Sequence, residues 1–271
     1  MRSVKIKEVI DALERFAPLP LQESYDNAGL QVGLTEAEVS GALLCLDVTE
    51  RVVDEAITKG CNLIVAHHPL IFRKLSQVTD ANYVQRTVIK AIKNDIVIVA
   101  MHTNLDAAFG GVNFKIAEKL GLRDVRFFGR EKVVTNPLTD KKVTGGDGVI
   151  GCFDTPLAAD DLILLLKKEF DVECVQANEL LRREIQTVAL CGGSGSFLLQ
   201  DAINAGADAF ITGEMGYHEF FGHEQEIQLC VIGHYQSEQY TTEVLRDVIE
   251  RDCPGVKCCI SEINTNPIIY F

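Results

Sequence analysis

Two adjacent histidines close a short apolar run, Asn62-Leu63-Ile64-Val65-Ala66-His67-His68-Pro69. Imidazole is the commonest protein ligand for a metal ion and the side chain that most readily moves a proton near neutral pH. Successive side chains of a strand point to opposite faces, so neighbouring histidines share a site only where the strand is breaking up. Pro69 supports such an end, because it has no N–H for a ladder and holds His68 extended. Two readings stand: a rigid metal-ligand platform, or a hydrogen-bonded pair in a loop. Two further strand-like runs end in residues of the same chemistry. Val99 leads to His102 and Asp106, and Ile232 leads to His234, with Glu238 four residues on. If both lie in a helix, His234 and Glu238 share one face. If His234 precedes the helix, Glu238 falls in its first turn, where a carboxylate is favoured. With His102 set aside, three imidazoles and two carboxylates exceed what one tetrahedral zinc takes, and suit a two-metal centre with a bridging carboxylate.

The elements that must position these residues alternate along the chain. Val4 to Phe16 has helical apolar spacing, with Val9, Ile10, Leu13 and Phe16 on one side. Ala42 to Leu46 reads as a buried strand, and Thr49 caps a helix to Lys59. Asn62 to Ala66, a helix at Tyr83 to Lys93, and the β-branched Ile96 to Val99 follow. A helix from Val112 to Leu120 stops at Gly121. This rhythm implies an α/β fold with mostly parallel sheets covered by helices, and ligand sites in such sheets form at strand carboxyl ends. Asn136-Pro137, Lys141-Lys142 and Gly145-Gly146 break the rhythm, so Val133 to Gly148 reads as an excursion or hairpin near a domain boundary. A second α/β passage runs through strands at Val149 to Phe153, Val172 to Gln176, Thr187 to Leu190, Ala209 to Thr212 and Leu229 to Ile232. Helices are expected at Ala158 to Glu169, Phe197 to Ala205 and Gln239 to Glu250, and an edge strand at Asn266 to Phe271.

Composition excludes several classes. A chain of 271 residues, 47% hydrophobic and 24% charged, has the make-up of a soluble globular protein with one large or two small domains. Its start, Met1-Arg2-Ser3-Val4-Lys5, runs into an amphipathic pattern, and no apolar run approaches membrane-spanning length. A net charge of −13 without a basic stripe argues against nucleic-acid binding. The nine cysteines are odd in number and form no Cys-x-x-Cys pair, which reads as reduced thiols in a cytoplasmic protein.

Other residues carry two readings each. His102 either supports the ligands from behind, orienting Asp106 or a bound water, or is an ordinary strand-end histidine. Asp47 either caps the following helix or approaches the site. Cys191-Gly192-Gly193-Ser194-Gly195-Ser196 either cradles an anion on its backbone N–H groups or makes a tight turn. Arg73 and Lys74 either attract an anionic substrate or form a solvated pair, and Glu214 and His218 are candidates to line a cavity.

The passages Asp26 to Gly33, Cys45-Leu46-Asp47-Val48-Thr49, His67-His68-Pro69-Leu70-Ile71-Phe72, His102-Thr103-Asn104-Leu105-Asp106, Gly192 to Ser196, Ile211-Thr212-Gly213-Glu214 and Gly233 to Glu238 occur in one order from near residue 8 to the end. Together they resemble the family named for the yeast NGG-one-interacting factor three, whose members also carry the label GTP cyclohydrolase 1 type 2 homolog. The resemblance implies two interlaced three-layer α/β domains, set at residues 1–127 with 236–271 and at 128–235, and a metal site in the cleft between them. By motif it implies that His67, His68, Asp106, His234 and Glu238 hold two divalent ions, with Glu238 bridging. It also implies a homo-oligomer, a toroidal hexamer with metal sites facing an inner cavity. Some members carry an extra mid-chain domain, and the short Val133 to Gly148 segment marks this chain as the compact form.

The first expectation is therefore a metal-dependent hydrolase of a nucleotide-like or phosphorylated small molecule, acting through a metal-activated water. The second is a metal-binding regulatory or adaptor protein that uses its oligomer for protein partners. Metal trafficking or storage is the third. Imidazole plus carboxylate suits zinc, iron, manganese, cobalt or nickel alike.

Overall fold

In the computed structural model, which describes residues 3–269, α1 (Ile6–Phe16) opens the chain and buries Ile6, Val9, Ile10 and Leu13. β1 (Gly29–Val32), β2 (Ala42–Cys45), α2 (Glu50–Lys59), β3 (Leu63–Ala66), α3 (Tyr83–Lys93) and β4 (Val97–Ala100) follow. The single turn α4 (Thr103–Asp106) and α5 (Val112–Leu120) lead into two long strands, β5 (Arg123–Thr135) and β6 (Lys142–Leu157). Next come α6 (Ala159–Glu169), the two-residue β7 (Gln176–Ala177), β8 (Ile185–Cys191), α7 (Leu199–Asn204), β9 (Ala209–Thr212) and β10 (Gln228–Val231). The single turn α8 (His234–Glu238), α9 (Thr241–Asp252) and β11 (Cys258–Ile260) complete the order.

Local chemistry accounts for the helix boundaries. Thr49 Oγ1 accepts the Val52 N–H at 3.3 Å, and Asn82 Oδ1 accepts the Gln85 N–H at 3.0 Å, so α2 and α3 each start on a side-chain cap. α2 and α5 stop on Gly60 and Gly121 at φ 68° and 71°, left-handed positions that suit glycine.

The chain forms two compact units. The first comprises residues 1–105, 134–143 and 241–271, and holds a five-stranded sheet in the order β1-β4-β3-β2-β11. β11, β2, β3 and β4 are parallel, and β1 runs antiparallel along the edge. Every residue of β2, β3 and β4 is buried, as their unbroken apolar runs require of strands covered on both faces. The second unit comprises residues 106–133 and 144–240, with a six-stranded sheet in the order β5-β6-β8-β9-β10-β7. β8, β9 and β10 are parallel, flanked by antiparallel β6 and β7. Its core gathers Ile150, Ala189, Phe210 and Leu229 with Leu198 and Ala202. Residues 106–127 group with this second unit, whereas the sequence reading places them in the first. α5 turns Val112, Ile116 and Leu120 inward in this unit and packs beside α6 and β8.

Three expectations change. Strand β6 begins well before Val149: its glycines belong to the strand because Phe127 and Phe128 lie over them, and a Cβ on Gly146 would sit 2.8 Å from the Phe127 Cβ. The hairpin reading of the break holds: β5 and β6 are neighbours joined by the turn at 136–141, where Asn136 Oδ1 accepts the Leu138 N–H at 2.9 Å. The terminal edge strand is β11, parallel to β2, and residues 266–269 carry no strand, while 270 and 271 lie outside the described residues. There Asn264 and Asn266 each accept the N–H two residues on, at 2.8 and 3.1 Å, which turns the backbone away from a ladder. The strand expected at Val172 to Gln176 shrinks to β7.

Candidate metal centre

Register brings the first set of candidate ligands together. Cys45, Ala66 and Ala100 stand side by side at the carboxyl ends of β2, β3 and β4. Asp47, His68 and His102 each follow by two residues, so they form a row across the sheet end, with His67 beside them. The rings of His67, His68 and His102 have centroids 4.9, 5.3 and 5.5 Å apart, and each offers a nitrogen within 4.8 Å of the others. His67 is fully buried.

Each ring is held through the same nitrogen. His67 Nδ1 lies 2.8 Å from the Met101 carbonyl oxygen, which can only accept, so Nδ1 carries a proton. His68 Nδ1 lies 2.8 Å from Asp47 Oδ1, and His102 Nδ1 lies 2.7 Å from Asp26 Oδ1. Burial pushes the Asp26 carboxyl up, but hydrogen bonds from His102 and Thr103 outweigh it and bring the pKa to about 2. Burial also raises Asp47, and the His68 contact more than offsets it, leaving the carboxyl below its ordinary value. Both carboxylates are therefore ionised acceptors at neutral pH. A histidine that donates Nδ1–H to a carboxylate or carbonyl and presents Nε2 is the arrangement found behind metal ligands.

Asp47 thus serves His68 and the Thr265 hydroxyl, which donates to it at 2.6 Å, while Thr49 caps α2. The capping role read for Asp47 is corrected accordingly. His102 contacts Asp26 and stands in the row with His67 and His68, giving it the same chemical standing as its neighbours. Arg73 and Lys74 are exposed on the segment after the histidine pair.

The second unit holds a second set, again placed by register. Cys191, Thr212 and Val231 are aligned in β8, β9 and β10, which brings Gly193, Glu214 and Gly233 to one row and starts α8 at His234. Within that turn His234 Nε2 lies 3.1 Å from Glu238 Oε2, the i, i+4 contact expected of one helix face. His234 Nδ1 lies 3.0 Å from Glu214 Oε1, and the Ser194 hydroxyl donates to Glu214 Oε2 at 2.7 Å. Glu238 is buried, and Asp106 offers a carboxylate oxygen within 4.8 Å of one of its own. Burial, joined by the Asp106 and Glu238 charges, holds the Cys191 thiol well above its ordinary pKa, so it is no thiolate nucleophile.

The glycine loop does not offer an anion cradle at its first positions. The Gly192 N–H donates to Asn113 Oδ1 at 2.9 Å, Gly193 to Ser237 Oγ at 2.9 Å and Gly195 to Thr212 Oγ1 at 3.1 Å. The tight-turn reading holds, and the turn places Gly193, at φ 58°, against the Glu238 carboxylate. Glu214 acts on His234, while His218 packs with Tyr217 and Phe221, ring centroids 5.2 and 6.2 Å away. Sequence reasoning gave Asp26 no role and placed Glu214 only at a cavity wall. Its own rule, that strand ends collect ligands, extends to both Asp47 and Glu214.

Imidazole nitrogens backed by acceptors are donors for a divalent ion, and so are the buried Glu238 and half-buried Asp106 carboxylates, so the residues present fit a metal. The chain matches the model of the Duf34/NIF3 (NGG1p interacting factor 3) family over residues 4–267. It is 35% identical over 270 residues to a Clostridium perfringens protein named GTP cyclohydrolase 1 type 2 homolog, covering 98% of this chain and 100% of that one. A Clostridium acetobutylicum protein of the same name is 32% identical over 250 residues, 92% of this chain and 90% of the other. Among solved structures, a hypothetical protein of Staphylococcus aureus superposes with a TM-score of 0.89 at 28% identity, with both chains covered completely. A Bacillus cereus protein related to NIF3 superposes with a TM-score of 0.86 at 25% identity, again over both full chains.

Proposed function

The chain belongs to the Duf34/NIF3 (NGG1p interacting factor 3) family, and from that premise we propose that it is a dinuclear metal-dependent hydrolase of a nucleotide-like or phosphorylated small molecule. In this reading His67, His68, Asp106, His234 and Glu238 hold two divalent ions, with Glu238 bridging. Zinc, iron, manganese, cobalt and nickel all suit such ligands. The observation that carries the reading is the shared arrangement of the histidines. His67, His68, His102 and His234 each have Nδ1 against a carbonyl or carboxylate oxygen, which fixes the direction of each ring.

Bound divalent ions supply Lewis acidity towards a phosphoryl, carbonyl or ring C–N centre and acidify a water towards neutrality. The protein's own part is orientation. The Met101 carbonyl, Asp47, Asp26 and Glu214 fix tautomer and ring direction. Buried Glu238 is held in place by the glycine turn. The names of the Clostridium relatives favour a nucleotide among the substrates. The reading includes a homo-oligomer of toroidal hexamer type and a cytoplasmic location, the first from the family resemblance and the second from the odd, unpaired cysteine set.

The test is a panel of nucleotides and phosphorylated small molecules offered to metal-loaded protein, beside Asp106→Ala and Glu238→Ala. The reading expects turnover by the wild type that disappears with metal in both variants while fold and oligomer persist. Loss of metal without loss of any turnover contradicts it. The family's description as an interacting factor favours a second reading, a metal-binding adaptor that works through protein partners. That reading expects no turnover across the panel and partner binding that depends on bound metal.

A further inference from the structure

Phe72 is an exposed phenyl ring set beside a histidine whose position is fixed. It is 45% exposed, and its ring centre lies 6.1 Å from that of His102 at 86°. The two rings are edge to face, so His102 does not cover Phe72 by stacking. An isolated exposed aromatic side chain is ordinary on a protein surface. The anchoring of this one is not.

Its neighbour Ile71 is held by both backbone groups. The Ile71 N–H donates to Gln31 Oε1 at 3.1 Å, and Asn27 Nδ2 donates to the Ile71 carbonyl at 2.6 Å. Gln31 Nε2 closes the clamp by donating to the Asn27 carbonyl at 2.6 Å. Asn27 is registered to Asp26, whose Oδ1 accepts both the Asn27 N–H and His102 Nδ1–H at 2.7 Å. One carboxylate therefore sets the position of His102, and the residue after it sets the segment that carries Phe72. The polar network holds the backbone that leads into Phe72 beside the imidazole cluster, and the ring is left half in water.

We infer that Phe72 is the platform on which a planar unsaturated ring of the substrate stacks, with Arg73 and Lys74 next to it as the contacts for a phosphate. The inference rests on the proposed function and names the substrate class within it: a nucleobase-like heteroaromatic ring bearing an anionic group. Stacking needs one open face of the phenyl and a fixed distance to the reacting centre, and the Asn27–Gln31 clamp on Ile71 provides the second.

The experiment compares guanosine monophosphate with ribose phosphate by calorimetric titration of metal-loaded protein, with bound metal and oligomer size measured on the same samples. The two probes share sugar and phosphate and differ in the ring. The expected result is tighter binding of guanosine monophosphate by the wild type. In Phe72→Ala that preference falls by roughly 5- to 100-fold, the range of base–aromatic stacking, and ribose phosphate affinity and metal content stay unchanged. Phe72→Trp keeps the preference. Equal affinity of the wild type for both probes, or a Phe72→Ala protein that keeps the preference, overturns the platform. A changed oligomer with an unchanged preference overturns it as well and makes Phe72 a subunit contact. Wild-type protein that takes up no metal counts against the proposed centre instead, and the comparison of the two probes still decides the role of Phe72.

Discussion

A side chain on Gly193 would place its Cβ on top of Oε1 of Glu238. The turn that carries Gly193 also has φ 58°, so the position refuses a side chain both by conformation and by the carboxylate behind it. The glycine-rich stretch is therefore a backing wall for a buried carboxylate. Gly193→Ala is expected to cost about 1–3 kcal/mol of stability and to weaken metal binding by displacing Glu238. Thermal unfolding and metal titration of the variant check this, and unaltered metal affinity would detach the loop from the site.

The carboxylates behind the histidines give a second expectation. Asp47→Ala and Asp26→Ala remove the acceptors of His68 and His102 Nδ1; the first is expected to lower metal affinity roughly 10- to 100-fold, and the second less, because His102 stands beside the proposed ligands and is not one of them. Competitive chelator titration measures this, with circular dichroism as the control for fold. Wild-type affinity in both variants would mean that these rings are held for packing alone.

Glu214 separates geometry from charge. Glu214→Gln keeps a carbonyl oxygen for His234 Nδ1 and an amide facing Ser194, whereas Glu214→Ala keeps neither. Metal affinity is expected to fall strongly in Glu214→Ala and less in Glu214→Gln. Equal loss in both would assign the effect to charge and not to orientation.

Acid stability should depend on Asp208, which is not among the proposed ligand residues. Burial raises its pKa, but the Thr187 and Gln186 N–H groups and Arg183 outweigh this and hold it below the ordinary carboxylate value. A depressed folded pKa stabilises above the unfolded value, and that stabilisation is lost as the pH falls through the folded one. Asp208→Asn is expected to cost about 1–3 kcal/mol at neutral pH and to flatten the fall in melting temperature as the pH drops below the ordinary carboxylate range of about 4. A parallel pH profile for variant and wild type would contradict this.

How much of this was legible beforehand varied with the kind of signal. Thr49 and Gly60, Tyr83 to Lys93, and Val112 to Gly121 carry local cap and periodicity signals, and each helix lies where those signals put it. The buried strands announce themselves as apolar runs, and the proposed ligand residues follow from asking what stands at their ends. The glycines of β6 misled because their cause, the Phe127 and Phe128 rings, lies on the neighbouring strand. The supporting residues were hidden for a similar reason. Asp26 meets His102 across 76 positions, Glu214 meets His234 across 20, and Asp47 meets His68 across 21. Strand order and register decide those meetings, and neither is written in local spacing. The resemblance carried the ligand set further than spacing alone, and only side-chain hydrogen bonds revealed why the histidines face as they do.

The central claim is that one set of imidazoles and carboxylates holds two metal ions, and its most direct test is the metal content of the protein by elemental analysis. The account predicts two equivalents of divalent ion per wild-type chain after loading and dialysis. It predicts fewer than one in His67→Ala, Asp106→Ala and Glu238→Ala, with the fold of each variant intact by circular dichroism. A folded wild type that retains no metal, or variants that retain both equivalents, would contradict it.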